Sequence, residues 1–177
     1  MSLLISEIRT RWEFDDGLLF EQFVSWNGAC TSFEDTKNIM LYAQKHAVVR
    51  FERYLAFENG VELRIPVSEM PYILADRTGF LVVFNEVPSK FGMSVFPWFF
   101  NCPNNAAIYN SDGSLRFQLK SAHGVGSYIG AVHYTSTPTN PNALGVLVGS
   151  VGHDPEWLYL VDPDSPELIS TGKWIRY

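Results

Sequence analysis

The chain has 177 residues, 46% of them hydrophobic and 18% charged, the composition of one folded domain that can bury a core rather than of a disordered segment. A formal net charge of −6 argues against general affinity for phosphate backbones or anionic membranes, so no nucleic-acid or membrane partner is expected. No apolar run approaches the roughly 20 residues a membrane helix needs. Leu3-Leu4-Ile5 is too short for a signal-peptide core, and Cys30 and Cys102 stand far apart in no metal-ligand spacing, so a cytoplasmic protein with free thiols is expected.

Within residues 1–30, Leu18-Leu19-Phe20 and Phe23-Val24-Ser25-Trp26 are short apolar segments that fit strand or helix equally. Asp15-Asp16-Gly17 separates them and Asn27-Gly28 closes them. The one persuasive helix spans about 32–45: Thr31 and Glu34 have the form of a capping box, Glu34 and Asp35 suit the first turn, and Lys45 suits the last. Phe33, Met40 and Ala47 fall on one stripe of it, with Thr36, Ile39 and Ala43 beside them.

From Val48 the period changes to two. Runs 49–57 and 61–67 flank Glu58-Asn59-Gly60, a hairpin signal, and Val61, Leu63 and Ile65 alternate with Glu62 and Arg64. FLVVF at 80–84 is apolar on both faces and predicts a central strand. MSVFPWFF at 93–100 is equally apolar, but Pro97 argues against a continuous strand. The strongest local signal is NNAAIYNSDGSLRFQLK at 104–120: strands at 106–110 and 114–120 joined by Ser111-Asp112-Gly113, with Leu115, Phe117 and Leu119 on one face. Further strands are expected at 128–134, 144–151, 157–161 and 174–177, with polar loops at 135–142 and 162–166. The expected fold class is α+β, mostly antiparallel β, with seven to ten short strands and one helix near the N-terminus. Residues 1–49 would be an N-terminal extension packed on a β domain formed by 50–177.

Motifs for chemistry are sparse. The four histidines, His46, His123, His133 and His153, stand in no ligand spacing. His153 beside Asp154 and Glu156 could form an acid–base or metal site, although such a loop is also an ordinary turn. Asp162, Asp164 and Glu167 lack the glycine of a calcium loop. No nucleophile elbow or phosphate loop is present, and Asp15-Asp16 is a carboxylate pair of a kind common in acidic proteins. No cofactor is expected. Residues 121–172 carry Asp154, Glu156, Asp162, Asp164 and Glu167 and no Lys or Arg, which is either a solvated face or a face for a basic partner. Trp98, in a run of aromatics that cannot all point one way, belongs either to the core or to a protein interface.

Residues 50–177 resemble a family of small bacterial β-rich proteins. The resemblance rests on the Asn59-Gly60 hairpin, the FLVVFN strand, Ile108-Tyr109-Asn110-Ser111-Asp112-Gly113-Ser114-Leu115-Arg116-Phe117, Tyr128-Ile129-Gly130, and Tyr159 with Asp162. Phe117 stands where that pattern has Trp and Asn110 where it has Asp, while residues 1–49 have no counterpart. The resemblance implies an immunity or accessory protein of a toxin system and carries no functional residues across. The expected function is therefore an immunity-type inhibitor that binds a bacterial toxin domain, with Trp98, Asp154, Glu156, Asp162 and Asp164 as partner-binding candidates. The alternatives are a hydrolase-like enzyme using His153, Asp154 and Glu156, or a structural or regulatory subunit.

Overall fold

The computed structural model describes residues 3–135, 143–152 and 155–175. Among them are twelve strands and one helix: β1 (Ile5–Phe14), β2 (Leu19–Ser25), α1 (Phe33–Ala43), β3 (Val48–Phe57), β4 (Glu62–Ile65), β5 (Tyr72–Ile73), β6 (Gly79–Val83), β7 (Ala106–Asn110), β8 (Leu115–Gln118), β9 (Ser127–Thr135), β10 (Ala143–Ser150), β11 (Glu156–Val161) and β12 (Leu168–Ile175). The fold is α+β and mostly antiparallel β, with its helix near the N-terminus. There are more strands than the expected seven to ten, partly because residues 5–25, ambiguous in sequence, form the hairpin β1–β2. No helix among the described residues is long and apolar enough to cross a membrane.

The strands form three four-stranded sheets, ordered β2-β1-β3-β4, β5-β6-β7-β8 and β12-β11-β10-β9. The second sheet is the middle layer. Phe80, Val82, Ala107 and Tyr109 on one face meet Ile8, Leu55, Phe57 and Ile65 of the first sheet. Leu81, Ala106 and Ile108 on the other face meet Ile129, Val146 and Val148 of the third. Phe80, Leu81 and Val82 are all 0% exposed, so FLVVF is apolar throughout because both of its faces are covered. The first sheet is covered on one side only. Its outer face pairs Arg9 and Arg11 with Glu62, Arg11 with Glu21, and Arg64 with Glu52, a cross-strand mesh of opposite charges. The domain boundary read at 49/50 falls inside β3, whose neighbour on one side is β1.

One turn design recurs. At Asp16-Gly17, Asn27-Gly28, Asn59-Gly60 and Asp112-Gly113 the Asx side chain accepts the N–H of the residue after the glycine, at 2.9–3.1 Å. Each glycine has positive φ, between 81° and 88°. An Asx oxygen closing the turn and a residue free to adopt left-handed φ are what each Asx-Gly pair supplies. A fifth copy, Asp76-Arg77-Thr78, puts arginine at the left-handed position, φ 63°. The Arg77 side chain is held there: Nε donates to the carbonyl of Ile5 at 2.9 Å, and Nη2 lies 2.7 Å from the Glu58 carboxylate. Arg77 thereby ties the central sheet to the first.

Two local expectations are corrected. Helix α1 is capped by Ser32, whose Oγ accepts the Asp35 N–H at 3.1 Å, because Thr31 is engaged by β2 through the Phe23 N–H at 2.8 Å. The helix ends at Ala43, before Lys45, and buries Ile39, while Phe33 and Met40 are 82% and 55% exposed. In the 106–118 hairpin, Ile108 pairs with Phe117 but Tyr109 pairs with Leu115, so Arg116 is an extra residue in β8. That bulge breaks the period of two. Leu115 consequently packs on the first core and Leu119 on the second, not on one face. Arg116 reaches Asn110 at 2.8 Å, Thr78 Oγ1 at 2.9 Å and the Pro163 carbonyl at 3.2 Å, binding turns of two sheets.

Candidate functional site

The residues singled out from sequence are placed apart. Trp98 is half-buried against the first core, stacked on Tyr109 with centroids 4.7 Å apart and planes 8° apart, beneath the Gly113 turn. Glu156 opens β11 and Asp162 follows its end, so the strand separates them by roughly 20 Å at about 3.3 Å per residue. Asp162 closes its own turn by accepting the Asp164 N–H at 2.9 Å, and Asp164 is exposed. His153 and Asp154 lie outside the described residues, as does 136–142 of the expected polar loop.

The structure instead brings together residues from four segments around a cleft of about 620 Å³ between the central and third sheets. Glu69, Tyr72, Glu86, Cys102 and Tyr128 line it, with Asn105 and Ile129 also in the wall. Among the described residues neither Lys nor Arg lines it. Its size and mainly apolar wall with a few polar groups are those of a ligand site.

Each wall residue is positioned by the fold. Asn105, 3% exposed, precedes β7 and acts as a piece of neighbouring strand. Its Nδ2 donates to the carbonyls of Phe84 (2.8 Å) and Ile129 (2.9 Å), and its Oδ1 accepts the Ile129 N–H (2.8 Å). The side chain thus caps the open edge of β9 and fixes the gap between two sheets. Opposite it, β9 carries an extra residue where Val146 pairs with Val132 and Val148 with Ile129, so Gly130 and Ala131 bulge at the wall. The Tyr128 ring lies over Gly149, where a Cβ would come within 2.4 Å of its hydroxyl oxygen, and that hydroxyl donates to Glu156 Oε1 at 2.9 Å. Any larger residue at 149 would displace the ring.

The electrostatics of the cleft are acidic. Burial, with the Glu86 charge next, raises the pKa of the Cys102 thiol above its usual value, which keeps it protonated at neutral pH. A catalytic thiolate needs the opposite shift. What the wall offers chemically is the Glu69 and Glu86 carboxylates, the Tyr72 ring, the polar side chains of Asn85 and Ser127 and apolar surface, a set suited to a cation on an apolar stem.

A second grouping sits at the β1–β2 turn. Ligand atoms of Asp15, Asp16 and His46 lie within 4.8 Å of one another, near enough to hold a metal ion. They are already engaged: His46 Nδ1 is 3.3 Å from Asp15 and 3.7 Å from Asp16, and its ring stacks on Tyr42 with centroids 4.3 Å apart. The Tyr42 hydroxyl donates to Asp16, which lowers the Asp16 pKa and raises that of Tyr42 to about 12. Asp16 also closes its turn, so these carboxylates hold the helix end to the hairpin.

Sequence reasoning passed over Glu69, Tyr72, Glu86, Asn105 and Tyr128 as site residues. Only Asn105, in the Asn-rich approach to β7, carried a local cue. The chain was also compared with known proteins, and no protein-family model, curated protein or solved structure matches it.

Proposed function

We propose that the protein works by binding another protein, in the manner of an immunity-type inhibitor that covers a bacterial toxin domain. The observation that supports this reading is the pair Glu69 and Glu86 in a cleft that, among the described residues, no Lys or Arg lines. A partner that presents a Lys or Arg side chain there buries its aliphatic stem against Tyr72 and the apolar wall and sets its charge beside the carboxylates. The net charge of −6 would speed encounter with a basic surface. The resemblance of residues 50–177 to proteins of the toxin-immunity type points the same way.

The test is capture from a bacterial lysate at low salt by the tagged protein and by the Glu69→Gln/Glu86→Gln double variant in parallel. The reading expects one stoichiometric partner, toxic when expressed alone, that the double variant fails to retain. Retention by both proteins alike would sink the cleft as the binding site, and no partner at any growth stage would sink the function. The enzyme reading makes a different demand: His153→Ala would abolish a turnover measurable with the wild-type protein, whereas binding would be untouched.

A further inference from the structure

A different cavity, of about 310 Å³, lies between the first sheet, the start of α1 and the segment that carries Met70. Ile8 and Thr10 at its floor are buried, whereas Cys30 and Phe23 are exposed, so it opens at the loop before α1. Arg53 projects into this layer from β3, on the same face as Phe51 and Leu55, and lines the cavity. Among the described residues no carboxylate comes within ion-pair distance of it, in contrast to Arg9, Arg11 and Arg64 on the outer face. Burial pulls its pKa down to about 10, and the more distant Glu69 only partly offsets this.

The hydrogen bonds around Arg53 leave donors over. Its Nε and Nη2 donate to the Ser68 carbonyl at 3.3 and 3.0 Å, and Nη1 donates to Thr10 Oγ1 and contacts Met70 Sδ at 3.4 Å. A guanidinium has five N–H groups, so one on Nη2 has no partner among the described residues. Thr10 Oγ1 is used as an acceptor, which leaves its O–H to donate. Gln22 Oε1 accepts the Trp12 Nε1–H at 2.9 Å, so only the Gln22 amide hydrogens remain, one of them directed to Thr36 at 3.3 Å. Thr10 Oγ1 and Gln22 Oε1 are occupied as acceptors, donors are left, and the Arg53 cation lies over the Phe51 ring, 4.8 Å from its centroid, without a carboxylate partner among the described residues. The rest of the wall is mainly apolar, with Ile8, Trp12, Val24 and Met70 beside the hydroxyls of Thr31 and Thr36. A buried charge without a counter-ion is costly, and an anion that enters such a site regains that energy.

We infer that this cavity is a binding site for a small carboxylate with an apolar body, its carboxylate received by Arg53, Thr10 and Gln22. The inference does not rest on the binding role of the acidic cleft, although Met70 lines both cavities and the Glu69 charge acts on Arg53. Such a carboxylate belongs either to a free monocarboxylic acid or to the C-terminus of a peptide, and the shared chemistry is the anionic head on an apolar stem.

Calorimetric titration of the wild-type protein with benzoate and with its neutral isostere benzamide, and with acetyl-phenylalanine and its amide as the peptide-end pair, tests this. Benzoate or acetyl-phenylalanine should bind at least about tenfold more tightly than its neutral counterpart, and whichever pair shows the difference identifies the source. Arg53→Met should abolish the difference, while Glu69→Gln, which removes the carboxylate charge that acts on Arg53, should tighten carboxylate binding. Equal binding of acid and amide in both pairs, or no binding of either acid, overturns the inference. The comparison of acid with amide uses the wild-type protein, so it stands even if Arg53→Met does not fold.

Discussion

Replacing Asn105 by alanine tests how the cleft is built. The Asn105 side chain makes three hydrogen bonds, all to backbone groups: the Phe84 carbonyl, the Ile129 carbonyl and the Ile129 N–H. Ile129 is 1% exposed and Phe84 2%, so their backbone groups have little other access to partners. A buried group left unpaired costs about 1–3 kcal/mol. Water in the adjoining cleft can recover some of the three, which puts the loss at about 3–5 kcal/mol. That is a large share of the roughly 5–15 kcal/mol that stabilises a typical domain. Asn105→Asp should cost at least as much, since it keeps the acceptor but turns a second oxygen toward two carbonyls. Urea titration followed by circular dichroism gives the stability, and hydrogen exchange of the Ile129 amide reports the lost bond directly. A loss below about 1 kcal/mol for Asn105→Ala, with Ile129 protection unchanged, would refute the role assigned to this side chain.

Three further outcomes follow from the geometry. Gly113→Ala meets only ordinary contacts, the nearest Trp98 at 3.5 Å, so its cost should come from φ of 84° alone, about 1–2 kcal/mol by urea titration. The Asp112 carboxyl, held below the usual aspartate range by the Ser114 hydroxyl and N–H, should titrate below that range by NMR and move up in Ser114→Ala. Its folded pKa is depressed, so it stabilises the fold above the unfolded value, a contribution lost as pH falls through the folded one; Ser114→Ala should flatten that acid limb. Cys102, exposed but with its pKa raised by desolvation and Glu86, should react with iodoacetamide more slowly than a free cysteine, and a partner seated in the cleft should protect it while leaving Cys30, away from the cleft, open.

What could be read from the sequence was what local chemistry decides. The four Asx-Gly turns, the two-faced FLVVF strand and the interruption at Pro97 all depend on neighbours in the chain. The helix cap was misplaced by one residue because a tertiary contact, Thr31 with Phe23, removed the first candidate. The β8 bulge at Arg116 was illegible for the same reason: the extra residue is selected by partners on Thr78 and Pro163, far along the chain. Arg77 occupies a turn position without glycine because Ile5 and Glu58, distant in sequence, hold it. The cleft draws on segments near residues 69, 86, 105 and 128, and no spacing rule links them. Arg53 did leave a trace, since it stands two residues from Phe51 and Leu55 and so shares their inward face.

The central claim is that an acidic cleft receives a basic partner. The most direct measurement is the association rate of the captured partner with the wild-type protein and with Glu69→Gln/Glu86→Gln, across a series of salt concentrations. The account predicts that added salt slows wild-type association more than it speeds dissociation, that the double variant binds at least about tenfold more weakly, and that its association depends less steeply on salt. An affinity unchanged by the double substitution, with an association rate insensitive to salt, would contradict it.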